Sequence, residues 1–553
     1  MRFIIFFLLC FTIVSCKQEN SKDVPNIDIE EPIKIEDADS SSVVTKDFRE
    51  FKVLDSKYLS NSEIWKEIED DLSTFSEEDY LNFYPLIFEQ DIPTIQGHIK
   101  QGNLTYENLT KFYLYRINKF DRENPLSLNS VISINSKAIE SAREKDKQNN
   151  VSIKPFSVFG MPILLKDNIN AKGMPTTAGA VALQENYTND AHIVRQLKKN
   201  GAIILGKTNL SEWAYFFCGD CPSGYSAIGG QTLNPYGRRL FSTGGSSSGS
   251  GVAVASNFCV AAVGSETSGS ILSPSSQNSV VGLKPTIGLV GRSGIVPISS
   301  TLDTAGPMTK NVVDNAILLG ALFGEDKEDD KSIWSLWKAN IYYEDLAEDA
   351  LIGKRFGAIK SLMEDTLYVK SLEVLKAKGA RIIEIEPEKK ERSGFISLLN
   401  LDMRNDLPSY LKNYASKTVK VKSIADVIEF NNRDSINSAP YGQRLFKAIV
   451  ADSGTAETLD SIKRNLKTIG KQYFDVPRKQ NKLDAILSIN NYHANYAAVA
   501  EYPAITVPMG YSNDGKPKGL TFIAERLREK QLLELAYAFE QASKSRKPPK
   551  NYN

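Results

Sequence analysis

Residues 242–271 read Ser-Thr-Gly-Gly-Ser-Ser-Ser-Gly-Ser-Gly-Val-Ala-Val-Ala-Ser-Asn-Phe-Cys-Val-Ala-Ala-Val-Gly-Ser-Glu-Thr-Ser-Gly-Ser-Ile. The first ten alone have the composition of a flexible linker. The residues after them argue against one. Val252 to Ala255 and Cys259 to Val263 are apolar enough to be buried, and a tether does not normally run straight into core. The glycines therefore suit a loop inside a domain, where backbone must approach a ligand closely. A second small-residue turn, Gly264 to Ile271, comes after the buried segment. Two serine-rich turns bracketing one buried segment can bring two hydroxyls into one pocket. Gly282-Leu283-Lys284-Pro285-Thr286 closes the region.

Working outward, helical and extended patterns alternate. Pro162 to Leu165 is a short apolar run suited to a buried strand, and it ends at Lys166. Asn135 to Gln148 has helical spacing, with Ala138, Ile139 and Ala142 on one side. Asp190 stands where it would cap a helix through Asn200, with Gly201 past its end. Ala202 to Leu205, Ala504 to Val507 and Leu520 to Ala524 read as strands. Leu532, Leu533, Ala536 and Phe539 mark an amphipathic helix. The pattern predicts an α/β fold, a sheet covered by helices. Residues 325–480 are more charged and less regular. Gly201 to Thr208 fits the phosphate-loop pattern G-x4-G-K-[ST], but its middle residues Ala-Ile-Ile-Leu form a strand and leave no loop to cradle phosphate.

Composition narrows the chemistry. The 553 residues carry Lys+Arg 67 against Asp+Glu 67, which argues against a nucleic-acid partner held by a basic surface. Only His98, His192 and His493 are available as histidines, so a hydrolytic base is to be sought elsewhere.

The N-terminus predicts place. Arg2 precedes an apolar run, Phe3 to Val14, that is too short to span a bilayer and has the size of a secretory h-region. Ile13-Val14-Ser15-Cys16 resembles a bacterial lipobox. Residues 1–15 are therefore expected to be a lipoprotein signal peptide, with lipidation at Cys16 and an exported, membrane-anchored mature chain. Residues 16–47 are acidic, with Pro25 and Pro32, and read as a disordered tether. Residues 48–87 read as a helical extension packed on the main domain, which runs over 88–545.

The motifs resemble the amidase signature family. They are GGSSSGSG (244–251), GSETSGSI (264–271) and GLKPTIGLV (282–290), with PILLKDNI (162–169) and TNLSEWA (208–214) upstream. DTAGPMT (303–309), EYPAITVPMGY (501–511) and GLTFIAE (519–525) come next in the family's order, so the resemblance covers roughly 90–545. It implies one large domain with a mixed, twisted sheet covered by helices on both faces. It also implies a Ser–cis-Ser–Lys triad: Lys166 as base, Ser246 as bridging serine after a cis peptide, and Ser270 as nucleophile. The backbone N–H groups of Thr267, Ser268, Gly269 and Ser270 would form the oxyanion hole. Such chemistry needs no cofactor and no metal. A lysine works as a base only when neutral, so its pKa must be lowered, and a hydroxyl can relay a proton because it both donates and accepts.

The expected substrate is a small-molecule or peptide amide, cleaved through an acyl-enzyme with release of ammonia or an amine. The form Glu266-Thr267-Ser268-Gly269-Ser270-Ile271 looks like the peptide-amidase branch. Relatives often have Asp at Glu266, Gly at Ser268 and Arg at Leu272, and the missing arginine argues against a carboxylate-bearing substrate at that place. Competing readings are a same-fold esterase or carbamate hydrolase, an amidotransferase-like enzyme, or a non-catalytic surface binding lipoprotein. The oligomeric state is left open. Cys218-Gly219-Asp220-Cys221 has no second pair to complete a zinc site and reads as structural, as free thiols or a disulfide. Cys259 and His192 read as core, and His493 as a candidate pocket residue.

Overall fold

The computed structural model describes residues 51–148, 154–333 and 342–553. The expectations of a signal peptide at 1–15, lipidation at Cys16 and a tether over 16–47 lie outside these residues.

Thirteen strands form among the described residues: β1 (Val131–Ile134), β2 (Pro162–Lys166), β3 (Ile203–Thr208), β4 (Tyr225–Ser226), β5 (Gly230–Gln231), β6 (Ala261–Glu266), β7 (Val281–Lys284), β8 (Thr304–Thr309), β9 (Arg355–Ile359), β10 (Arg381–Ile385), β11 (Ala485–Ile489), β12 (Ala504–Tyr511) and β13 (Pro517–Ile523). Eleven join one sheet in the order β1-β3-β2-β6-β8-β7-β12-β13-β11-β9-β10, and β4 pairs with β5 apart from it. The sheet is mixed. β2 runs parallel to β3 and β6, and β9 to β10 and β11, while the strands between β6 and β11 pair antiparallel.

Every residue of β2, β3, β6, β7, β8 and β11 is buried. Successive side chains of a strand point to opposite faces, so the sheet centre is covered on both. This is why these strands read as unbroken apolar runs and not as alternation. At one edge, β10 exposes Arg381 and Glu384, charges that discourage further pairing.

The serine-glycine loop leads into a helix, Ser248–Ala255, of which every residue is buried. A Cβ on Gly249 would lie 2.5 Å from the carbonyl oxygens of both Asn209 and Ser130. Glycine is needed there because the helix seats directly on the backbone just after β3 and just before β1.

Two local expectations differ from the structure. The helix expected from Asp190 spans His192–Lys199, with Ala191 at its N-cap and no side-chain cap. Asp190 instead accepts the Lys172 N–H at 2.8 Å and pairs with Lys198, so it ties a loop to the helix's last turn. The described residues of 325–480 are more regular than their composition suggests. They hold a parallel β9–helix–β10 unit and the long helices Phe395–Asn413 and Ala456–Asn481. The charges that obscured these helices lie on their outer faces, while Leu398, Leu401, Leu466 and Phe474 are buried. Ahead of the sheet, the helices Asn61–Trp65, Glu69–Ser73 and Glu77–Ile87 precede Tyr106–Phe120, and Tyr80 stacks on Phe112 with ring centroids 5.0 Å apart.

Candidate active site

β2 ends at Lys166 and runs beside β6, with Leu165 opposite Val263. The pairing carries the Lys166 side chain toward the end of β6. Its Nζ lies 2.8 Å from Ser246 Oγ, 2.9 Å from Ser265 Oγ and 3.1 Å from the Ser265 carbonyl. Ser265 is itself held in place. Its hydroxyl accepts from Asn168 Nδ2 at 2.9 Å, and its carbonyl accepts from Ser247 Oγ at 3.0 Å. The Gly245–Ser246 peptide is cis. Lys166 and Ser246 have no exposed surface. Burial pulls the Lys166 pKa down from 10.5 to about 7, against the pull of Asp303 and Glu266, whose charges favour the protonated form.

Ser270 sits on the next turn, 9% exposed, after Gly269 at φ +88°. Its carbonyl accepts the Ser247 N–H at 3.1 Å, which ties the two serine turns together. Among the described residues no hydrogen bond joins the Ser246 and Ser270 hydroxyls. The structure thus brings Lys166 and Ser246 into contact and places Ser270 beside them.

The Glu266 carboxylate organises this turn. It accepts the N–H groups of Gly269 at 2.7 Å, Ile271 at 2.7 Å and Leu272 at 3.0 Å. The Gly269 N–H, expected in the oxyanion hole, is therefore already donated to a carboxylate. Those of Thr267, Ser268 and Ser270 are not taken by it. A carboxylate bonded to three backbone donors fixes a turn that has no regular ladder of its own. Ser268 Oγ donates to Asn495 Oδ1, and Thr267 Oγ1 donates to Asp303 at 2.5 Å. Ser265, Asn168, Glu266, Asp303 and Asn495 all support the site. Sequence reasoning gave none of them a role, although the first four lie inside the family motifs.

A cavity of about 280 Å³ lies beside the turn, lined among others by Asn168, Ser265, Thr267, Arg292, Asp303 and Asp406. Ala214 also faces it. Trp213, Ala214 and Tyr215 adopt consecutive left-handed conformations, φ 50°, 54° and 78°. Each such non-glycine residue costs on the order of 1–2 kcal/mol, and packing must hold it. Trp213 is 1% exposed and lies 5.3 Å from the Phe446 ring. Cys218 and Cys221, joined as a disulfide, are buried in the same loop. Cys259 is a buried free thiol.

His493 and His192 are structural in their surroundings. His493 Nδ1 lies 2.6 Å from Ser488 Oγ, and burial, aided by Lys389 and Arg392, lowers its pKa to about 4. It is absent from the cavity wall. His192 is buried with its pKa lowered by desolvation. Lys207, from the rejected phosphate-loop pattern, lies on β3 and pairs with Asp167 at 2.8 Å, both fully buried.

Comparison with known proteins identifies the family. A family model described as Amidase matches residues 108–488. A probable amidase of Arabidopsis thaliana is 37% identical, over 84% of this chain and 92% of its own length. The crystal structure of an amidase family protein from Bacillus anthracis superposes with a TM-score of 0.85 at 37% identity, covering 90% of this chain and 99% of that one. The native peptide amidase of Stenotrophomonas maltophilia gives a TM-score of 0.79 at 37% identity, covering 84% and 98%. With sequence motifs, sheet and relatives all pointing the same way, the chain belongs to the amidase family of hydrolases.

Proposed function

We propose that this amidase hydrolyses a carboxamide C–N bond through Lys166, Ser246 and Ser270. The observation that carries the reading is the 2.8 Å contact of a fully buried Lys166 Nζ with Ser246 Oγ. A neutral amine has two N–H donors and one lone pair. Nζ makes three contacts, so once neutral it can keep its two N–H bonds to the hydroxyl and carbonyl of Ser265 and turn its lone pair to the Ser246 hydroxyl 2.8 Å away. Ser246 then gives its own proton to Lys166 Nζ and accepts the Ser270 proton as Ser270 Oγ attacks the carbonyl carbon. The oxygen that becomes negative is met by the N–H groups of Thr267, Ser268 and Ser270. Such donors are worth roughly 3 kcal/mol each in the transition state. The proton returns through Ser246 to the leaving nitrogen, the C–N bond breaks, and ammonia or an amine departs. Water, deprotonated by the same relay, attacks the acyl-Ser270 ester and releases the acid.

A panel of peptide amides, free amides, esters and carbamates, read by ammonia or amine release and by acid formation, tests this. Peptide amides are expected to be cleaved best, since one solved relative is a peptide amidase. Ester turnover with no amide turnover would contradict the reading.

We further propose that the enzyme is exported and anchored by lipid on Cys16. The support is the Phe3–Val14 run and the residues around Cys16. Mass spectrometry of the mature N-terminus should find a lipidated Cys16, and Cys16→Ala should shift the protein to the soluble fraction. An unmodified N-terminus on membrane-free protein would sink the idea.

A further inference from the structure

The cavity beside Thr267 is strongly acidic. Among the described residues Arg292 is its one lining cation. That guanidinium is committed to Asp329, through Nη2 to Oδ1 at 2.5 Å and Nε to Oδ2 at 2.8 Å. Asp303, Asp406, Glu328 and Asp330 also line the cavity. Asp303 is bound by the Ile298 and Ser299 N–H groups at 2.8 and 2.9 Å, and Asp406 by the Ser300 N–H at 2.6 Å. Asp406, Glu328 and Asp330 have no ion-pair partner among the described residues. Burial raises the Asp406 carboxyl to about 6, and the neighbouring Asp402 and Asp303 push the same way. It is charged at neutral pH in a site that disfavours the charge.

A second observation is independent of the carboxylates. Asn168 lines the cavity and is 2% exposed. Its amide nitrogen is used by Ser265 and Val296, and its Oδ1 has no partner. A buried acceptor left unmet costs roughly 1–3 kcal/mol, and this one belongs to a residue of the cavity wall. The rings of Tyr410 and Tyr414 complete the wall, and aromatic faces attract cations. Among the described residues the carboxylates nowhere converge in a group that could hold a metal ion. The charge is spread along a slot suited to an organic cation.

We infer that this cavity is a subsite for a cationic group, an ammonium or guanidinium, borne by the amide substrate, so that the enzyme prefers basic amides. The inference rests on amide cleavage at Ser270 and deepens it. Thr267 belongs both to the cavity wall and to the turn that carries Ser270, so the cavity adjoins the proposed site of attack.

Nα-acetyl-arginine amide and Nα-acetyl-citrulline amide nearly match in shape and differ in charge, which makes them the test pair. The arginine amide is expected to have the higher kcat/KM by about tenfold or more, as for a partly buried charge pair. Added salt should narrow the ratio. Asp406→Asn/Glu328→Gln should bring the ratio toward one, chiefly by lowering kcat/KM for the arginine amide. Equal kcat/KM for the pair, or a ratio untouched by the double substitution, would overturn the inference. Ammonium chloride inhibiting both amides alike, without a preference for the charged one, would assign the slot to the released product and also overturn it. If neither amide is cleaved, the hydrolytic reading is what has failed. Calorimetric binding of the same pair to Ser270→Ala protein then decides the subsite alone, with the same tenfold preference expected.

Discussion

Ser270→Ala protein is expected to lose amide turnover by on the order of 10⁵-fold or more, the scale seen when a serine nucleophile is removed. It should also fail to form any acyl adduct. The fold should survive, because the contact of Ser270 to the neighbouring serine turn runs through its carbonyl and not its side chain. A thermal transition close to that of the parent is therefore expected, as for substitutions that break no packing or buried hydrogen bond. A serine-reactive phosphonate gives a direct readout. Mass spectrometry should find the adduct on the peptide containing Ser270 in the parent and nowhere in the variant. Full turnover by cleanly prepared Ser270→Ala protein would remove Ser270 as nucleophile, whatever the resemblance of its motif.

The second large effect concerns the base. Lys166→Ala is expected to be nearly inactive, down by roughly 10³-fold or more, since a general base and the relay it anchors are lost together. The pH profile carries the sign. Lys166 works when neutral, and its pKa lies near 7 and not at 10.5. Activity should therefore rise with pH through about 7 and fall about tenfold per unit below it. A limb near 7 would ordinarily suggest histidine. Here His493 titrates near 4 and burial lowers His192 as well, so neither supplies it. A rate independent of pH down to 4 would contradict a lysine base. Substitution of either histidine is expected to leave the limb in place.

The range of the interactions explains which parts were legible in the sequence and which were hidden. The central strands were legible because burial on both faces leaves runs such as Ile163-Leu164-Leu165. The motifs around Lys166, Ser246 and Ser270 were legible because they are local, and the structure brings Lys166 and Ser246 into contact. The parts that hold them act across the chain. Asn168 meets Ser265 from 97 residues away, and Ser268 meets Asn495 from 227 away. No periodicity announces such contacts. The Gly269 N–H reads as an oxyanion donor until the Glu266 carboxylate is seen to occupy it. Asp190 has the composition of a helix cap but binds elsewhere, because Lys172 and Lys198 compete for it. The β9–helix–β10 unit was missed because an edge strand such as Arg-Ile-Ile-Glu-Ile carries exposed charge and looks like surface.

The order of strands also sets the order of assembly during synthesis. Lys166, Ser246 and Ser270 all precede Thr309, the last residue of β8, and the strands β1, β3, β2, β6, β8 and β7 made by then form one contiguous side of the sheet. The partner of β7 is β12, with Lys284 opposite Ala504. After Thr309 leaves the ribosome, roughly 200 further residues must be made before that strand is available, on the order of 10–40 s at ordinary elongation rates. Until then β7 has one bare edge, the kind of template that recruits foreign strands. Asn495, which anchors the nucleophile turn, and Tyr502, whose carbonyl receives the buried Lys284 ammonium, arrive in the same late stretch. Lys166, Ser246 and Ser270 are made early, but the last supports of their geometry come from the end of the chain, so the completed site is a property of the finished polypeptide.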